Sequence, residues 1–109
     1  MTFADNLRQL PGVSHLAALQ LIDAADDSVV AIIENKPGQV GSLAVYNHLA
    51  QLFGVITVDA ARKGLELYAE HVDEARDHPG KHPNIERLLQ LQLEPRKLRI
   101  KQIFAVAAE

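Results

Sequence analysis

Two spacings of apolar residues alternate along the chain, one helical and one extended. Phe3, Leu7 and Leu10 fall at i, i+4 and i+7 and predict a short helix. Thr2, with Asp5 three residues on, has the pattern of a capping box, and Pro11-Gly12 stops the helix. Residues 16–22 (LAALQLI) and 29–33 (VVAII) are runs of aliphatic and β-branched residues, the composition of strands. The polar stretch between them carries Asp23, Asp26, Asp27 and Ser28. That is turn chemistry, so the two strands are expected to pair as an antiparallel hairpin. The three aspartates lack the full oxygen-ligand loop of a hard-cation site and read as turn residues.

Residues 34–42 (ENKPGQVGS) form a loop leading into a helix capped by Ser42. That helix, 43–53, is apolar over most of its circumference through Leu43, Val45, Tyr46, Leu49, Leu52 and Phe53. Only Asn47, His48 and Gln51 make a polar edge, the pattern of a central helix that Gly54 ends. Thr57 then opens a long helix reaching about Asp77, with Ala61, Leu65, Tyr68, Val72 and Ala75 on one core-facing stripe. Gly64, beside that stripe, costs about 1 kcal/mol relative to Ala, and a close approach by helix 43–53 would justify it. Pro83 suits the first position of a third helix through Ile85, Leu88 and Leu89. Leu89, Leu91 and Leu93 alternate instead, so residues 89–93 fit either helix or extended chain. Residues 97–106 (KLRIKQIFAV) open with Leu98 and Ile100 alternating against Arg99 and Lys101, a third strand. The expectation is a single α+β domain, a small three-stranded antiparallel sheet packed against three helices, in the order αββαααβ.

Composition narrows the function classes. With no cysteine among 109 residues, disulfides, thiol nucleophiles and Cys-based zinc sites are excluded, which fits a reducing compartment. No window is long and apolar enough to span a membrane, and the first ten residues, with Asp5 and Arg8, do not resemble a signal peptide. A cytoplasmic location is expected. A net charge of −3 argues against non-specific nucleic-acid or membrane binding.

The stretches ENKPGQVGSLAVYNHLA and GLELYAEHVDEARDHPGKHPNIERLL resemble a family of small bacterial proteins classed as a domain of unknown function. The GLELYAEH and HPGKHPNI motifs are its distinctive part. The resemblance implies a short cytoplasmic bacterial protein and brings no activity, cofactor or catalytic residue.

Three clusters carry candidate chemistry. His71, Glu74 and His78 share one edge of the long helix, and the Pro79-Gly80 turn can return His82 towards them. Imidazoles with a carboxylate suit a divalent transition metal such as zinc, nickel or iron, or acid–base work near neutral pH. The competing reading is of histidines placed at a helix C-terminus, where a cation is favourable. The second cluster is the KPGQVGS loop, where Lys36, Gly38, Gly41 and Ser42 precede a helix N-terminus and would hold an anion. It departs from the phosphate-loop motif, because the lysine precedes the glycines. The third is Arg96, Lys97, Arg99 and Lys101, which read as a protected or solvated strand edge before a nucleic-acid surface. Ser14, Ser28, Ser42, His15 and His48 show no local triad signature. The reading is a non-enzymatic binding or assembly module forming a homodimer, because residues 19–22 and 29–33 carry apolar side chains on both strand faces. The alternative is a metal-binding protein or small enzyme using the His/Glu site.

Overall fold

A computed structural model describes residues 1–106. In chain order the elements are α1 (Phe3–Arg8), β1 (Leu16–Asp23), β2 (Val29–Glu34), α2 (Val40–Phe53), β3 (Val55–Ile56), α3 (Val58–Tyr68), α4 (His71–Asp77), α5 (Pro83–Leu93) and β4 (Leu98–Phe104). The fold is α+β, as expected, but its antiparallel sheet has four strands rather than three, in the order β2-β1-β4-β3. The missed strand, β3, is two residues long, too short to show a period. It forms because Gly54, at φ 78°, turns the chain out of α2 and lays Val55 and Ile56 beside Arg99 and Leu98.

The hairpin register explains the alternation along β1. Leu19 pairs with Ile33 and Gln102, and Leu21 with Ala31 and Ile100, so Leu19, Leu21 and Ile33 point into the core. The intervening Gln20 sits between Ile32 and Lys101 on the other face. That face is mixed rather than uniformly apolar, with Ile22 and Ile103 beside Gln20, Arg99 and Lys101. Across the covered face lies α2, which buries Leu43, Val45, Tyr46 and Leu49 completely. Its one buried polar side chain, Asn47, accepts a hydrogen bond from Gln102 Nε2 at 2.8 Å, tying helix to sheet.

Two helix boundaries differ from the sequence expectation, and one that the sequence left open is helical. Ser42 does not cap α2, which starts at Val40 with Gln39 as N-cap. The Gln39 side-chain oxygen instead accepts the Glu34 N–H at 2.9 Å. Residues 89–93 are helical, burying Leu91 and leaving Leu93 exposed at the C-terminus of α5. The expected long helix from 57 to 77 is broken at Ala69, which has φ 52° and separates α3 from α4. An L-residue with a Cβ adopts this backbone only when its surroundings hold it there. The surroundings are α1: Asn6 Nδ2 donates to Leu67 O at 2.9 Å, and the Phe3 N–H donates to Glu70 Oε1 at 2.7 Å. Docking of α1 thus satisfies a carbonyl in the last turn of α3 and turns the chain. The capping box expected at Thr2 and Asp5 is present.

The stripe Ala61, Leu65, Tyr68, Val72 and Ala75 still faces inward across the break. Gly64 lies between α2 and α5. A Cβ added there would sit 2.7 Å from Leu88 Cδ1 and 2.9 Å from Leu49 Cδ1, both on fully buried side chains. A Gly→Ala change in a helix is worth about 1 kcal/mol in its favour, whereas overpacking a core costs about 1–3 kcal/mol. Gly64→Ala is therefore expected to lower unfolding free energy by roughly 1 kcal/mol in urea denaturation. A more stable Gly64→Ala protein would show that the helices do not pack this closely.

Candidate functional site

The break at Ala69 and the Pro79-Gly80 turn bring separated segments to one cavity of about 560 Å³. Its polar wall comes from His71 of α4, Lys81 and His82 of the turn, and Asn84 and Arg87 of α5. The segment from Gly38 to Ser42 supplies a second wall, and Phe3, Leu7, Ile32, Tyr68 and Ile85 supply apolar surface. Two of the candidate clusters, the histidines and the glycine-bearing loop, are thus parts of one place.

Around Glu74 the structure gathers three of the four residues proposed together. His71 Nδ1 is 3.2 Å from Glu74 Oε2, and His82 Nε2 is 3.1 Å from Glu74 Oε1. The His82 contact is short but poorly aligned, leaving the buried Nε2 without a hydrogen bond. The His71 and His82 ring centroids are 6.2 Å apart. Lys81 Nζ adds a third partner to Glu74 at 3.4 Å. The close approach of His82, His71 and Lys81, in that order, pulls the Glu74 carboxyl down to a pKa of about 2. The His78 ring takes part in none of these contacts. Its residue is the exposed C-cap of α4, and it joins the turn only through its backbone. Among the described residues, no group of three or more His, Asp or Glu side chains is arranged to hold a metal ion.

The loop cluster is divided in the same way. Gly38, Gly41 and Ser42 line the cavity, while Lys36 points to Glu34 at 3.5 Å and is not part of the lining. Ser42 Oγ accepts the Tyr68 hydroxyl at 2.6 Å. Burial raises the Tyr68 pKa far above the ordinary phenol value, so Tyr68 is a neutral donor. Gly41 is required by α1, since a Cβ there would meet the Phe3 ring at 3.1 Å. Phe3 in turn stacks on Tyr68 at 5.2 Å and meets the His71 ring edge-on at 5.1 Å.

Arg87 carried no signal in the sequence, where it reads as a solvated helix position. It is half buried, with Nη1 donating to Asn84 Oδ1 at 2.9 Å and to the Tyr46 hydroxyl at 3.1 Å, and its guanidinium lies 5.7 Å from the Tyr46 ring centre. The Tyr46 hydroxyl donates to Asn84 O at 2.5 Å. Burial pushes the Tyr46 pKa up to about 12, against the pull of Arg87. Among the described residues no carboxylate pairs with Arg87. The only advance hint was the Asn84/Arg87 spacing of three at the start of a helix.

The strand cations are partly neutralised. Arg99 pairs with Asp27, and Arg96 with Asp23 at 3.4 Å, so the hairpin aspartates serve as counter-ions and turn formers. Lys97 and Lys101 have no such partner among the described residues.

The chain belongs to a family described as an uncharacterized protein conserved in bacteria (DUF2322), whose model matches residues 3–102. No curated protein and no solved structure matches the chain. No helix among the described residues is long and apolar enough to cross a membrane.

The tethered Glu74 gives a pH expectation with a defined sign. Its folded pKa, about 2, lies below the ordinary 4.5, so its stabilising contribution is present above about 4.5 and lost as pH falls towards 2. Glu74→Gln should therefore flatten the dependence of unfolding free energy on pH between about 4.5 and 2. A Glu74 carboxyl titrating near 4.5 by NMR would show that the cluster does not hold it.

Proposed function

We propose that this family member is a binding module for a small anionic ligand, taken up in the cavity between α1, α2 and α5. The observation that carries the reading is the charge of the lining. The chain has 14 acidic and 11 basic residues, yet among the described residues the cavity is lined by Lys81, Arg87, His71 and His82 and by no Asp or Glu. A half-buried guanidinium with no carboxylate partner is costly to keep unless an anion completes it. The helix α2, which opens on the cavity, supports the same reading: it has no side-chain cap, so its first-turn N–H groups and positive end are available to an acceptor. Glu74 sits behind the histidines, where it fixes their rings and offsets Lys81. The volume of about 560 Å³ falls within the range of small-molecule sites.

Self-association is a second reading, supported by β2. This strand lies at the sheet edge with Val29 and Ile32 about half exposed, and within Val29–Glu34 only Glu34 is charged. An edge with so little protection favours pairing with a second copy of the strand.

The anion reading is tested by thermal unfolding in increasing inorganic phosphate and malonate. The parent protein should gain melting temperature with at least one of them, and Arg87→Gln should lose that gain. Because Arg87 also supports Tyr46, Lys81→Met, at an exposed position, provides a folded comparison and should show a reduced gain. An equal gain in the parent and both variants would remove the site. Self-association is tested separately by light scattering at micromolar concentration: a dimer is expected, and a Val29→Lys, Ile32→Lys protein should be monomeric. A monomeric parent would end that reading.

A further inference from the structure

Resting on the anion-binding reading, we infer that the ligand is an organic phosphate monoester, with its phosphoryl group at Arg87 and Lys81 and its carbon body against Phe3, Leu7 and Ile32. Charge comes first. The ion contact between Lys81 and Glu74 cancels locally, leaving the full charge of Arg87. The uncapped N-terminus of α2 adds roughly half a charge, while that of α5 carries Glu86 in its first turn. The cavity therefore offers about one and a half positive charges before either histidine is protonated. A phosphate monoester carries about −1.5 to −2 at neutral pH and matches that sum, whereas a single carboxylate leaves part of it uncompensated.

Donor supply points the same way. Among the described residues, only Nη1 of Arg87 is engaged, on Asn84 and Tyr46. The remaining guanidinium N–H groups, the Lys81 ammonium and the first-turn amides of α2 exceed what two carboxylate oxygens can accept. They suit the three terminal oxygens of a phosphoryl group.

Size and polarity then exclude the bare ion. A five-atom oxyanion would fill a small part of about 560 Å³, and the lining also includes the apolar side chains of Phe3, Leu7, Ile32 and Ile85. Phe3, stacked on Tyr68, adds aromatic surface to the lining. The Gln39 side-chain oxygen is taken by the Glu34 N–H and the Ser42 oxygen accepts from Tyr68, which leaves the Gln39 amide N–H groups and the Ser42 hydroxyl proton as donors. The organic part expected here is accordingly compact, with apolar surface towards Phe3, Leu7 and Ile32.

Calorimetric titration with three probes separates the parts of the argument: phenyl phosphate, inorganic phosphate (the head without a body) and benzoate (the body with one charge). Phenyl phosphate should bind at least tenfold more tightly than either of the others. Lys81→Met should weaken it severalfold, while the remote Lys63→Met should leave it unchanged. Benzoate equal to phenyl phosphate would overturn the phosphoryl assignment and leave the anion pocket standing. Inorganic phosphate equal to phenyl phosphate would overturn the organic body. No binding of any of the three would overturn this inference and the anion-binding reading together.

Discussion

A buried hydroxyl has to find partners, and the arrangement of the helices around the cavity follows from how Tyr46 finds them. Its ring is fully buried in the middle of α2, so an unpaired oxygen there would cost several kcal/mol by transfer measurements. The oxygen donates to the carbonyl of Asn84 and accepts from Arg87, which binds the centre of α2 to the first turn of α5. Gly64 permits the same approach from the other side by letting Leu49 and Leu88 nearly meet across α3. One polar constraint and one steric allowance thus set where α5 begins. With that start fixed, Lys81 and His82 are delivered to the edge of the cavity.

The elements read most directly from the chain are those specified by local period. The hairpin follows from aliphatic runs around a polar turn, α2 and the inward stripe of α3 and α4 from the placing of apolar residues, and the Thr2 capping box from three-residue spacing. The break at Ala69 left no trace in its neighbours, because alanine is the best helix former and the cause lies at Asn6 and Phe3, more than sixty residues away. The strand β3 has two residues and no rhythm. For the site, the histidine cluster and the glycine-bearing loop were both visible, but as separate hypotheses, since nothing in their spacing says that His71 and Gly41 line one cavity. Arg87 was invisible for a different reason. A lone arginine on a helix normally faces water, and only the burial of Tyr46 makes this one unusual.

Electrostatically the molecule separates its charges by location. Its acidic excess is spread over exposed positions such as Asp59, Glu66, Asp73 and Asp77, where water screens it. Beside the cavity, Glu74 is held outside the lining by contacts with two imidazoles and an ammonium. An acidic protein can therefore present a locally positive recess, and its net charge says little about what it binds.

The helix α1 closes one side of that recess without burying any residue. Six residues are too few for a helix to persist alone in water, so α1 owes its order to Phe3 stacking on Tyr68 and to two hydrogen bonds at the end of α3. Free energies of local opening scale with such burial, and elements with little of it exchange their amide hydrogens long before the core does. One wall of the cavity is consequently a lightly buried helix, while Tyr46, which fixes Asn84 and Arg87 of the facing wall, is fully buried. Loss of α1 would therefore open the recess and release the turn at Ala69 together, while leaving the contact between α2 and α5 in place.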